Sequence, residues 1–325
     1  MSPSITAMLD SDALHDLGKT RLKDAAWGVA LIDGGAVVSA RHRLPADGDA
    51  EIGSVSKGVT ALLYRDAVER RELSPEDRLE QNLPLGGRPA GEVTLGSLAQ
   101  HRSGLPRLPE VPEMAGRTWR WWRHQQNPYG DTLLELLDQT RATKVRKPRA
   151  SYSNLGFELL GHAVAAAAGT TYADLVRTRI AKPLGLISWY VPATPAELSP
   201  RAVGGTSRRG RPAEAWTGEG LGPAGGIRST LGDLTTFAAA LVDGTAPGIG
   251  ALEPTASFAG PAVRIGEAWL TSRVRGRDVT WHNGGTGGWR SWVGLDREAG
   301  RAAVVLVGST RSPDRLGTDL VVPRE

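Results

Sequence analysis

The sequence predicts an α/β protein (α+β in arrangement): an antiparallel sheet flanked by helices, built from both chain ends, with an all-helical domain inserted between them. Three observations carry this expectation. Two apolar, β-prone runs near the start are joined by the turn Asp33-Gly34-Gly35. Further strand-like runs cluster after residue 260. The stretch between them alternates short helical patterns with Pro/Gly loops. The expected division is residues 1–75 and 224–325 for the sheet-bearing domain and 76–223 for the helical insert.

Taken in order, Ile5 to Leu17 reads as a short amphipathic helix with Ile5, Met8, Leu9 and Leu17 on one side. Ala26 to Ile32 and Ala36 to His42 form the first two strands, and the polar return Pro45 to Asp49 leads into Ser54. Val59, Leu62, Leu63, Ala67 and Val68 give the stripe of a helix that packs behind the sheet. In the insert, helices are expected over 94–101, 131–139, 156–168 and 172–180, and residues 192–226, rich in Pro, Gly, Arg and Thr, read as long loops. Thr230 to Leu241 is helical, with Leu231, Leu234, Phe237 and Leu241 on one face. Val263 to Arg273, Asp278 to His282, Trp289 to Leu295 and Ala302 to Val307 complete the sheet. No internal repeat is evident.

Composition narrows the function classes. The formal charge of +4 is small for 325 residues, and acidic residues are interspersed throughout, so nucleic acid is not an expected partner. The absence of cysteine excludes disulfides, thiolate metal sites and a cysteine nucleophile. No apolar run reaches membrane-spanning length, and the first twenty residues, with Asp10, Asp12 and Asp16, lack a secretory pattern. The expectation is a soluble, cytoplasmic protein with no metal and no cofactor, acting on a small molecule; the oligomeric state is not readable.

Three clusters carry chemistry. The first is Ser54-Val55-Ser56-Lys57 at the start of a predicted helix, an S-x-x-K spacing that puts both side chains on one face. Twenty serines and six lysines in 325 residues give about 0.4 chance matches to that pattern, and Ser54 can equally be a helix N-cap. A serine hydroxyl must lose its proton as it attacks, and a partly neutral lysine within hydrogen-bond reach can take it. The second cluster is Tyr152-Ser153-Asn154, whose outer residues point the same way on an extended segment. A nearby cation is expected to lower the Tyr152 phenol pKa, and the Asn154 amide can hold Lys57 or a substrate carbonyl. The third is Trp281-His282-Asn283-Gly284-Gly285, in which the glycines allow backbone to approach a ligand. The Ser54 and Gly285 N–H groups can then form an oxyanion hole, with His282 at its mouth donating a hydrogen bond or positive charge.

Together the clusters resemble the serine β-lactamase-like superfamily of class C β-lactamases, D,D-peptidases and related esterases, over most of the chain. S-x-x-K, Y-x-N and the strand motif His282-Asn283-Gly284 occur in the family's order. Phrases at 100–106, 127–129 and 223–230 also look like the family's. The resemblance implies a β-lactamase/transpeptidase-like fold, with Ser54 acylated, Lys57 and Tyr152 sharing the proton transfers, Asn154 positioning Lys57 and substrate, and Gly284 and Gly285 at the oxyanion site.

The sequence departs from that pattern at His282, where lysine is usual. A largely neutral histidine favours esters, amides or thioesters without an essential carboxylate. The run Arg117 to His124, with Trp119, Trp121 and Trp122, is expected to line the cleft and set substrate choice. The leading expectation is a serine hydrolase of the esterase or peptidase kind. The alternatives are a transacylase or peptide cyclase passing the acyl group to an amine or alcohol, and a retired enzyme that only binds.

Overall fold

In the computed structural model, which describes residues 10–324, the chain builds one large sheet with helices on both faces. Helix α1 (Ser11–Leu22) precedes the hairpin β1 (Trp27–Asp33) and β2 (Ala36–His42), then β3 (Ala50–Glu51) and α2 (Val55–Glu69). Ile5, Met8 and Leu9 of the expected first helix lie outside the described residues. The middle of the chain holds α3 (Leu95–Ala99), α4 (Pro112–His124), α5 (Leu133–Ala142), α6 (Asn154–Ala167) and α7 (Tyr172–Val176). After a long loop come β4 (Arg228–Ser229), α8 (Leu231–Val242), β5 (Ala256–Ala259), β6 (Val263–Ile265), β7 (Leu270–Val274), β8 (Arg277–Gly285), β9 (Arg290–Asp296), β10 (Arg301–Val307) and α9 (Asp314–Val321).

The eight-stranded sheet has the order β2-β1-β10-β9-β8-β7-β6-β5, with antiparallel neighbours throughout. The two chain ends meet one strand in from the β2 edge, where Trp27 pairs with Val307 and Asp33 with Arg301. Both strands are apolar on both faces, and the two faces pack into different cores. Val29, Leu31 and Val305 pack with Leu14, Leu316 and Leu320 of α1 and α9. Ala30, Ile32, Val304 and Leu306 face a second, larger core that includes Leu62 of α2 and Phe237 and Leu241 of α8. Val263 to Arg273, expected as one strand, is two. A turn at 266–269 divides it, because a Cβ on Gly266 would lie 2.4 Å from Ala251 O, so the backbones touch there.

Two features fix the approach to Ser54. Strands β3 and β4 pair Ala50 with Ser229 and Glu51 with Arg228, holding the approach to Ser54 against the 223–230 segment. The buried Arg228 is paired with Asp49 and donates to Asp49 O and Val203 O. The Glu51 carboxylate accepts from Trp216 N and from Thr286 Oγ1, the latter at 2.8 Å. Three separate loops are thereby pinned around the start of α2.

Candidate active site

Gly53 (φ +50°) turns the chain so that Ser54 stands at the N-terminus of α2. The Ser54 side chain makes no capping hydrogen bond to the helix, which disposes of the N-cap alternative. Its Oγ instead accepts from Lys57 Nζ at 3.1 Å, as i, i+3 geometry allows. Lys57 is fully buried, and its Nζ also donates to Ala224 O at 2.5 Å. Burial pushes the ammonium down to about 7; the Glu158 carboxylate opposes this and Arg107 adds to it. Near neutral pH Lys57 is therefore partly in the form that accepts a proton.

Tyr152 completes the group. Its ring centroid lies 5.0 Å from Lys57 Nζ and 5.2 Å from the Arg107 guanidinium. The phenol runs opposite to the sequence expectation. Burial pushes it up to about 12, against the hydrogen bond to Ser54 and the charge of Arg107, so it stays protonated at neutral pH. The segment carrying it is held by buried His101. The His101 carbonyl accepts from Ser151 N at 2.9 Å, its Nδ1 accepts from Ser153 N at 3.2 Å, and its ring packs 4.5 Å from that of Tyr152. Asn154 departs from expectation too. Its Nδ2 donates to Tyr129 OH at 2.9 Å, and its buried Oδ1 has no hydrogen-bond partner among the described residues, so it bonds Tyr129 and not Lys57.

The approach of the two amides expected to form an oxyanion hole rests on glycine. A Cβ on Gly284 would come within 2.1 Å of Ile52 O and 3.0 Å of Ser54 N, and one on Gly53 within 2.6 Å of Gly285 N. The nucleophile turn and the end of β8 thus touch backbone to backbone, setting the Ser54 and Gly285 N–H groups beside one cavity. His282 is not at its mouth. Exposure alternates along β8, and His282 falls on the buried side, 2 % exposed, its ring 6.3 Å from that of Trp269. Burial first, and Lys57 second, push the imidazole down to about 3, so it is neutral; its Nδ1 bonds Asn283 O at 2.7 Å.

The cleft over Ser54 measures about 440 Å³ and is bordered by Arg107, Tyr152, Gly285 and Arg290. A narrower pocket of about 140 Å³ opens beside Ser54, with Met114, Thr118 and Trp121 on one wall. These three are spaced i, i+4, i+7 on α4, which explains why Trp121 enters the pocket while Trp119 and Trp122, 56 % and 73 % exposed, face outward. The expected three-tryptophan wall is one tryptophan of that helix, joined by Trp216 and Tyr129. Trp216 lies 6.1 Å from Trp121 and 4.9 Å from Tyr129, ring to ring. Sequence reasoning missed Trp216, Arg107 and Glu158. The last sits one helical turn after Asn154, buried, with no hydrogen bond to Oε1 among the described residues and its carboxyl pushed up to about 8 by burial. That i, i+4 spacing was the available signal.

A serine at a helix start, a partly neutral lysine on its hydroxyl and two amides over it, on an antiparallel sheet, define the class of serine hydrolases with a β-lactamase-like fold. The chain belongs to the Beta-lactamase family, whose model matches residues 16–322. It is 29% identical over 192 residues to the D-alanyl-D-alanine-carboxypeptidase/endopeptidase AmpH of Escherichia coli (strain K12), covering 58% of this chain and 47% of that one. It is 26% identical over 306 residues to the unguisins hydrolase ungD' of Aspergillus campestris (strain IBT 28561), covering 83% and 54%. The chain thus spans about half the length of these curated relatives. Among solved structures, the D-stereospecific amidohydrolase from Streptomyces sp. superposes with a TM-score of 0.81 at 22% identity, over 97% of this chain and 99% of that one. The class C β-lactamase from Rhodobacter sphaeroides gives 0.73 at 22%, over 92% and 93%. Among the described residues, no helix is long and apolar enough to cross a membrane, and no group of three or more His, Cys, Asp or Glu is placed to hold a metal.

Proposed function

We propose that the protein cleaves an ester, amide or thioester of a small substrate through an acyl-enzyme on Ser54. The observation that carries this reading is the 3.1 Å hydrogen bond between the Ser54 hydroxyl and a buried lysine poised near 7. Ser54 Oγ attacks the substrate carbonyl as its proton passes to Lys57, and the oxyanion is taken by the Ser54 and Gly285 N–H groups. The leaving group departs with a proton from the Lys57–Tyr152 pair, Tyr152 being the member that stays protonated. Water, entering by the open cleft, then gives its proton to neutral Lys57 as it attacks the acyl carbonyl, and that proton passes to Ser54 Oγ as the ester bond breaks and the acid leaves. The 140 Å³ pocket takes the acyl side chain. A cavity of about 150 Å³ holds benzene, so one ring-sized apolar group between Trp121, Trp216 and Tyr129 fits.

The test is intact-protein mass after exposure to a fluorophosphonate, a short-chain activated ester, a thioester and a penicillin, with Ser54→Ala in parallel. An adduct on the wild type alone is expected. Labelling of Ser54→Ala, or none of either protein, overturns the assignment. Faster loss of the adduct to an added amine than to water would make the protein a transacylase.

A further inference from the structure

Two grooves run outward from the catalytic cleft. The first, about 520 Å³, shares Trp121 with the walls around Ser54 and is lined by Arg123, Arg208, Arg209 and Arg211. The second, about 800 Å³, continues from it through Ser207, Arg208 and Thr310 to Arg43 and Arg311. Among the described residues, none of these six arginines is in an ion pair within 4 Å, whereas Arg65, Arg179, Arg228 and Arg277 are each held by a carboxylate. Asp24 is the one acidic residue in the lining of either groove. Six guanidiniums without a carboxylate partner, gathered along two joined grooves, make this a positively charged surface in a chain of net charge +4.

The surface is also built. Residues 206–212 form a small hairpin, with Thr206 bridged to Pro212, Ser207 N bonded to Arg211 O at 2.8 Å and Gly210 at φ +73°. Thr206 N donates at 3.2 Å to both Gly288 O and Gly308 O, which ties the hairpin to the loop that follows the oxyanion strand. Arg211 Nη2 donates to Arg123 O at 2.9 Å, and Arg43 Nη1 to Asp24 O at 3.1 Å. Among the described residues, Arg208, Arg209 and Arg311 make no such side-chain bond.

We propose that this arginine-lined surface binds an extended acidic peptide, so that acyl substrates reach Ser54 on or beside a run of carboxylates. The cations are spread along two grooves and do not converge on one point, which matches carboxylates at intervals along a chain better than a single phosphate. The grooves lead to a nucleophile aimed at carbonyl carbon, and a carbonyl substrate carrying spaced carboxylates is a peptide. Delivery to Ser54 rests on the acyl-enzyme reading above; binding does not, and the two are measured separately.

The probe is fluorescein-labelled hexaglutamate, with hexaglutamine as control, titrated by anisotropy at 20 and 200 mM salt. Hexaglutamate is expected to bind at least about tenfold more tightly than hexaglutamine, with the difference shrinking at high salt. The triple change Arg208→Glu, Arg209→Glu, Arg311→Glu should abolish the preference while leaving fluorophosphonate labelling of Ser54 at the wild-type rate. An activated ester on a glutamate-tailed peptide should acylate Ser54 about tenfold faster than its glutamine-tailed counterpart in the wild type alone. Equal binding of the two peptides, or a preference that survives the triple change, overturns the proposal. Tighter binding of coenzyme A or of a single-stranded oligonucleotide than of hexaglutamate replaces the peptide with that ligand. If the peptide binds but neither ester labels Ser54, the failure lies with the acyl-enzyme reading.

Discussion

Replacing Lys57 by methionine should abolish turnover and make the protein more stable. Lys57 is fully buried, and its ammonium falls from 10.5 to about 7 on folding, chiefly through burial. Each tenfold change in proton affinity is worth about 1.4 kcal/mol, so keeping a lysine there costs roughly 4 kcal/mol at pH 7. Methionine fills similar volume without charge, but leaves Ala224 O without the Lys57 Nζ donor, a loss of about 1–3 kcal/mol. The net gain is about 1–3 kcal/mol, a rise in Tm of a few degrees for a chain of this size. The sign with pH follows from linkage. Between about 7 and 10.5 the unfolded chain holds a proton that folded Lys57 has released, so wild-type stability rises relative to the variant across that window. Glu158, raised from 4.5 to about 8, costs both proteins stability as pH climbs past its unfolded value, so the two melting curves must be compared at each pH. The assay is thermal unfolding of both proteins from pH 6 to 10. A variant that melts below wild type at pH 7, or a gap that does not close toward pH 10, would refute the reasoning.

Three other outcomes are expected. The acylation rate should rise with pH through a limb near 7, set by the Lys57–Glu158 pair, and Glu158→Gln should move it to lower pH by removing a carboxylate that favours the ammonium; a stationary limb would detach Glu158 from the base. Gly284→Ala should lower kcat by about 10²-fold or more, because its Cβ must displace Ile52 O or the Ser291 hydroxyl beside the oxyanion amides, and unchanged kcat would remove them from the mechanism. Trp216→Ala should cost substrates with an aromatic acyl group about 10–200-fold in kcat/KM and acetyl esters far less, measured on a matched ester series.

What the sequence conveyed and what it withheld divide by range of interaction. S-x-x-K is a helical spacing, so the meeting of Ser54 and Lys57 follows from i, i+3 geometry alone. The strands β1 and β10 are continuous apolar runs, and the first hairpin could be placed from its runs and the turn Asp33-Gly34-Gly35. His282 shows the limit of such local patterns. Alternation says that neighbours on β8 face opposite ways, but only the packing of Trp269 tells which side is the interior. The Tyr152 phenol went the wrong way because the cation beside it was legible and the burial around it was not. Trp216 and Arg107 reach the site on loops held by contacts distant in sequence: Glu51 accepts from the Trp216 amide, and the Arg107 carbonyl accepts from the Asn154 and Leu155 amides.

The closure of the sheet has a consequence for how the chain is made. Strand β1 finds its partner β10 only 268 to 280 residues later. At about 5–20 residues per second, a ribosome exposes the β1–β2 hairpin for roughly 14 to 55 s before its inner edge can be paired. That edge is a continuous apolar run, Trp27 to Ile32, with no charge to deter a neighbouring nascent chain. A premature stop anywhere before β10 therefore leaves an open adhesive seam and not a smaller working enzyme. Slowing synthesis late in the message should favour aggregation, and supplying the last strand and α9 as a separate peptide should relieve it.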